Sequence, residues 1–135
     1  MSKSNTTEHD VLAAFLKGDS PSWMANPNVY VSLHTADPGE AGDQTTSETS
    51  YTNYARQSLT RASGWTDGGS TFTNANLIQF PQCGATGATI THVGIGELVS
   101  GAGQLFYSGA LNSPLTVANL IQPQFAAGAL SVTED

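Results

Sequence analysis

Turn residues cut this chain into pieces too short for anything but strands. Gly64, Asp67-Gly68-Gly69, Pro81, Gly84, Gly87, Gly101, Gly103, Pro114 and Gly128 punctuate everything after the first third. The segments that they set off, 54–61, 71–73, 77–80, 89–98, 104–111, 121–125 and 130–133, read as short strands. Glycine supplies positive φ and proline presets a turn angle, so such punctuation argues for short strands and tight connections. Composition agrees: 16 Thr, 14 Ser, 8 Asn and 7 Gln make up 45 of 135 residues. These side chains disfavour helix interiors and favour turns and strand faces. The expected class is all-β, an antiparallel two-sheet β-sandwich or jelly-roll-like domain.

One segment breaks the pattern. Thr7-Glu8-His9-Asp10 reads as an N-cap with acids in the first turn, and Val11, Leu12, Phe15 and Leu16 follow at helical spacing. Lys17 and Gly18 suit a C-terminal cap. The spacing predicts a helix over about 8–17 whose stripe is buried on its own sheet or on a neighbour's, with Phe15 in a packed core. Residues 1–6 are polar and read as a flexible arm that orders only on a partner, leaving 7–135 as a single domain. Asn28 to Thr35 alternates Val29, Val31 and Leu33 against Tyr30, Ser32 and His34, a half-buried strand. It ends at Asp37-Pro38-Gly39, and 40–52 reads as a long exposed loop.

Charge excludes several functions. The formal net charge is −7, and the bases are only Lys3, Lys17, Arg56 and Arg61, too few to track a phosphate backbone, so nucleic acid is not an expected partner. No apolar run reaches the length of a membrane-spanning helix, and the polar residues 1–10 argue against a secretory signal, so no membrane partner is expected and synthesis belongs in a host cytoplasm. A single cysteine, Cys83, forms no internal disulfide and reads as a loop-edge thiol.

No catalytic, cofactor or metal residues emerge. His9, His34 and His92 are far apart in sequence, although His34 and His92 could meet across paired strands. Asp37, Glu40, Asp43 and Glu48 form an acidic run without the ordered spacing of a calcium loop, so a solvated loop is expected. Gly94-Ile95-Gly96 and Gly101-Ala102-Gly103 lack the third glycine of a phosphate cradle and read as close strand approach and a turn. Trp23, Trp65 and the Tyr51/Tyr54 pair are anchors for a core or for a partner surface. Asn119-Leu120-Ile121-Gln122-Pro123 is apolar enough to mark a contact.

The linear order of phrases says more. Asp10 to Gly18 precedes Val29-Tyr30-Val31-Ser32-Leu33-His34-Thr35-Ala36-Asp37-Pro38-Gly39-Glu40-Ala41-Gly42; Tyr54-Ala55-Arg56, Phe80-Pro81 and Ile90-Thr91-His92-Val93-Gly94-Ile95 come next. Leu105 to Leu111 and Gln124 to Thr133 close the chain. This order resembles a family of small tailed-bacteriophage virion proteins, commonly labelled tail-fibre proteins. The resemblance implies a non-enzymatic structural component of the virion with a β-sandwich body. Small size, acidity and Ser/Thr/Gly richness point first to a capsid decoration (cement) protein on the outer shell, with the major capsid protein as partner. A tail-fibre or tail-tip module contacting the host surface is the alternative. Lysine-poor edge strands lead to the further expectation of a homo-oligomer, a homotrimer first.

Overall fold

The computed structural model describes residues 1–134. It contains one α-helix and ten short strands: β1 (Ser2–Lys3), α1 (Asn5–Lys17), β2 (Asn28–His34), β3 (Gln57–Thr60), β4 (Trp65–Asp67), β5 (Thr71–Asn74), β6 (Ile78–Gln79), β7 (Ala88–Gly96), β8 (Leu105–Val117), β9 (Gln124–Phe125) and β10 (Ser131–Thr133). A 3-10 turn over Ser22–Ala25 links α1 to β2. The all-β antiparallel class with one N-terminal helix holds. The strands divide into three sheets, however, where two were expected: β1-β8-β7-β2-β3, β10-β5-β4, and β6-β9.

β2 and β7 form the middle of the large sheet, and His34 pairs directly with His92. Val31, Leu33, Ile90, Val93 and Ile95 from these strands are buried, with Leu105, Phe106 and Val117 of β8. Phe80, Tyr51, Ile78 and Leu130 close the core from the smaller sheets and connections. Ser32 and His34 are fully buried as well, so β2 is not the half-solvated strand that its alternation implies. Its polar face is covered by the loop that follows. β8 runs past Pro114, where the sequence places a break. Ile90 faces Leu115 but His92 faces Ala110, so residues 111–114 bulge out of register, and the proline that cannot donate falls in the bulge. β1 and β4 are strands that the pattern misses, being two and three residues long.

The N-terminal segment corrects two expectations. Residues 1–6 are not a free arm: Ser2 and Lys3 pair with Ser108 and Tyr107 of β8. Ser4, not Thr7, is the N-cap; its hydroxyl accepts from Thr7 N–H at 3.2 Å. Met1 packs on the core beside Gly109, and Lys3 Nζ pairs with Glu134. The helix therefore begins three residues earlier than its apolar periodicity shows, because hydrogen bonding rather than hydrophobicity starts it.

The second correction is the helix face. Thr7 and Ala13 are the buried positions of α1. Gln104 Nε2 donates to Thr7 Oγ1 at 3.1 Å and to Asp10 Oδ2 at 3.0 Å, and the Trp23 indole N–H donates to the same carboxylate oxygen at 2.8 Å. The helix docks by small and hydrogen-bonding residues. Phe15, expected in a core, is 81% exposed, with Leu16 at 80% and Leu12 at 58%. At the helix end, Gly18 takes φ 73° and its N–H reaches Ala13 O, a left-handed cap that a side chain would strain.

Candidate interaction surface

Most of the titratable groups singled out in the sequence are engaged in hydrogen bonds within the chain. Both ring nitrogens of His34 are bonded: Nδ1 donates to Thr46 O at 2.8 Å, and Nε2 accepts from Ser32 Oγ at 2.8 Å. Burial holds this imidazole below the ordinary histidine range, so it is neutral. His92 stands opposite on β7 with Nδ1 bonded to Thr91 Oγ1. His9 projects from α1 into solvent, and the three histidines do not converge. Among the described residues, no three His, Cys, Asp or Glu side chains come together as a metal site.

The acidic run is consumed residue by residue. Asp37 Oδ1 accepts from Gly39 N–H at 2.9 Å, and Glu40 accepts from Ser2 Oγ. Asp43 Oδ1 accepts from the Thr45 N–H and hydroxyl, and those bonds lower its carboxyl below the usual range. Glu48 is 14% exposed and receives Arg56 Nε at 2.7 Å and Nη2 at 2.8 Å, a two-pronged pair. Arg56 also donates to Leu98 O at 3.0 Å and Gly101 O at 2.8 Å, while Tyr54 Oη donates to Glu48 Oε2 at 2.7 Å. Burial and this bond push the Tyr54 phenol far up.

This corrects the picture of 40–52 as an exposed loop. It is clamped over β2 and against residues 97–104. Gln44, which no sequence signal singled out, is fully buried, accepting from Leu98 N–H at 2.8 Å and donating to Leu98 O at 3.1 Å. Of the two Gly-x-Gly pairs, Gly94, Gly96 and Gly103 make room for this packing, while Gly101 faces open space at φ 85°. A Cβ on Gly94 would lie 2.8 Å from His34 Nε2, and one on Gly103 would lie 2.2 Å from Gln44 Oε1. Cys83 likewise is no loop-edge thiol; it is 2% exposed in the core, its Sγ directed at Gly84 O and Thr86 O. A polar hollow of about 400 Å³ beside β3 is lined by groups such as Gln57, Thr60, Asn76 and Gln79, with no titratable side chain.

What remains unused is apolar surface. The tryptophans, one on the 3-10 turn and one on β4, line one groove between the large sheet and β10-β5-β4. Its volume is about 440 Å³, and its walls include Val11, Trp23, Trp65, Phe72, Phe106 and Val132. Trp23 is fixed there by its bond to Asp10, by the Phe106 ring at 4.9 Å and by the Arg61 guanidinium 5.5 Å from its own ring. Tyr51, in contrast, is core, its hydroxyl donating to Pro81 O at 2.7 Å; burial raises its pKa to about 12. Beyond the groove, Leu12, Phe15, Leu16 and Met24 stand exposed on α1 and the 3-10 turn. Leu120 and Ile121 form a separate exposed pair where the sequence suggested a contact. Contiguous apolar exposure of this kind marks contact surfaces, not catalytic ones.

A surface without assembled chemistry and with unfilled apolar walls agrees with the comparison to known proteins. No curated protein matches the chain. Residues 2–133 match the family described as Podophage GP4 fiber I protein gp80. The match covers nearly the whole described fold, from β1 to the end of β10. The chain belongs to this family of non-enzymatic phage tail-fibre proteins and is a structural protein of the virion.

Proposed function

We propose that this protein is a fibre subunit at the phage tail, a rigid β body that works by contact and performs no reaction. The observation that carries this reading is the match to a fibre family over residues 2–133. It favours the tail over the capsid shell, which the small size and acidity alone had favoured. In this reading its neighbours are tail proteins and not the major capsid protein. The internal use of His34, Glu48, Asp43 and Arg56 supports a scaffold role, because each holds a loop in place. Immunogold labelling of intact virions tests the assignment. Label at the tail is expected; label on heads alone would return the protein to the capsid shell.

A further inference from the structure

We propose that the apolar groove of one copy receives the α1 stripe of a second copy, with Phe15 as the inserted side chain. Three observations commit the occupant to a second copy of this chain. The first is complementarity within one chain. A groove of about 440 Å³ walled by Trp23, Trp65, Phe72 and Phe106 requires an apolar occupant, and the same molecule carries an apolar side chain, Phe15, at 81% exposure. A cavity of this size suits a side-chain cluster and is in the usual range for specific binding sites.

The second is continuity. Thr7 and Val11 line the groove, and Phe15 follows one turn beyond Val11 on the same helix. Groove and stripe therefore share one face. A two-fold axis through that face brings the stripe of each copy to the groove of the other, the self-complementary arrangement that closes as a dimer. The third is charge. Lys17 and Asp19 at the end of the stripe pair with each other at 3.1 Å, and Glu134 in the groove pairs with Lys3, which leaves Arg61 as the groove charge open to a carboxylate of an acidic second copy. Arg61 has no carboxylate partner among the described residues, and its Nε–H is buried without an acceptor. Its Nη2 bond to the Trp23 carbonyl, at 3.1 Å, holds the guanidinium at the groove wall.

The net charge of −7 gives the association a signature. Copies repel one another at long range, and added salt screens that repulsion while leaving apolar contact intact. Dimerisation should strengthen from low to moderate salt.

Sedimentation equilibrium of the full chain, over a concentration series and at two salt concentrations, tests the proposal. The wild-type chain is expected to dimerise. Phe15→Asp on the stripe and Phe72→Glu on the groove wall should each raise the dimer dissociation constant about 100-fold, because two symmetric contacts are lost per dimer. Circular dichroism and the melting temperature check that each variant is folded. At concentrations low enough to keep the chain monomeric, Phe15→Asp should leave both unchanged, since its ring touches solvent in the single chain. Mixing the two variants should restore weak pairing, because the intact stripe of one meets the intact groove of the other. A wild-type chain that stays monomeric at millimolar concentration would overturn the proposal. So would a dimer or trimer that survives Phe15→Asp.

Discussion

Gln44 occupies the space that a side chain at position 96 would need: a Cβ built on Gly96 lies 2.4 Å from both Cγ and Cδ of Gln44. The amide is fully buried and bonded to both polar groups of the Leu98 backbone, so it cannot step aside. Gly96→Ala should therefore destabilise the fold by about 1–3 kcal/mol, the usual cost of forcing atoms into a packed site. Urea denaturation measures it, and Gly96→Ala combined with Gln44→Ala should recover part of the loss. A Gly96→Ala chain as stable as wild type would show that the loop yields.

Arg56 should be among the costliest single side chains to remove. Its side chain is 3% exposed and holds one largely buried carboxylate and two carbonyl oxygens. Arg56→Met leaves the Glu48 charge without its cation and with only the Tyr54 hydroxyl as a side-chain partner, at a cost of about 3 kcal/mol. The double variant Arg56→Met/Glu48→Gln should lose distinctly less than the sum of the single changes, because neither charge is then stranded. Denaturant midpoints of the four chains give the coupling, and strict additivity would mean that the pair contributes nothing as a pair.

Acidification should weaken the protein through His34. Its folded pKa lies below the ordinary value of 6.5 because the imidazole is buried, so the unfolded chain binds a proton that the folded chain refuses. Stability from this group is complete above about pH 6.5 and falls as the pH drops below it toward the folded pKa. Glu134 acts lower still: its bonds from Lys3 and Tyr107 depress its carboxyl pKa, and the stability they provide fades as the pH falls below about 4.5. NMR titration should show the His34 ring still neutral at pH 6.5, and melting temperatures should decline between pH 7 and pH 5. A ring that titrates at 6.5 or higher would contradict the buried, doubly bonded geometry.

Ser4 and Phe15 should behave oppositely to their hydrophobicity. Ser4→Ala removes the N-cap of α1 and should cost about 1 kcal/mol. Phe15→Ala should change monomer stability by less than about 0.5 kcal/mol, as surface substitutions do. Melting curves taken at concentrations low enough to keep the chain monomeric make the comparison. A larger loss from Phe15→Ala would place its ring in the chain's own core.

Strand segments bounded by strong turn signals were legible in the sequence. β2, β5 and β7 have nearly the expected limits, because each is a run of Val, Ile, Thr or aromatic residues with Gly, Pro or Asn near an end. β1 and β4 were not legible, because two or three paired residues carry no periodicity. The helix was found from its apolar spacing, and the same spacing misassigned its buried face. Periodicity identifies which residues share a stripe, but not whether that stripe or the Thr7/Asp10/Ala13 face meets the sheet. Hydrogen bonds from Gln104 and Trp23 decide that, and both lie outside the helix. The groove was half legible. Trp23 and Trp65 stood out as anchors, but their meeting depends on how β4 and β10 join β5, a relationship between distant segments. Gln44 had no signal at all, since an amide in a Thr-rich stretch resembles solvent-facing loop.

The ion pair of Lys3 with Glu134 joins residues 131 apart in the chain. On a ribosome adding roughly 5–20 residues per second, the first strand waits about 7–26 seconds before that anchor is synthesised. β1 has no partner until β8 exists, and α1 is too short to hold its shape undocked. Through that interval Met1 lacks its seat on β8, beside a helix whose Leu12, Phe15 and Leu16 stay exposed even in the finished fold. Newly made copies clustered on one polysome thus expose the same apolar segment together, each before its own β8 can hold Met1 and the first strand in place. For this chain, the pace of synthesis is one of the conditions under which it folds cleanly.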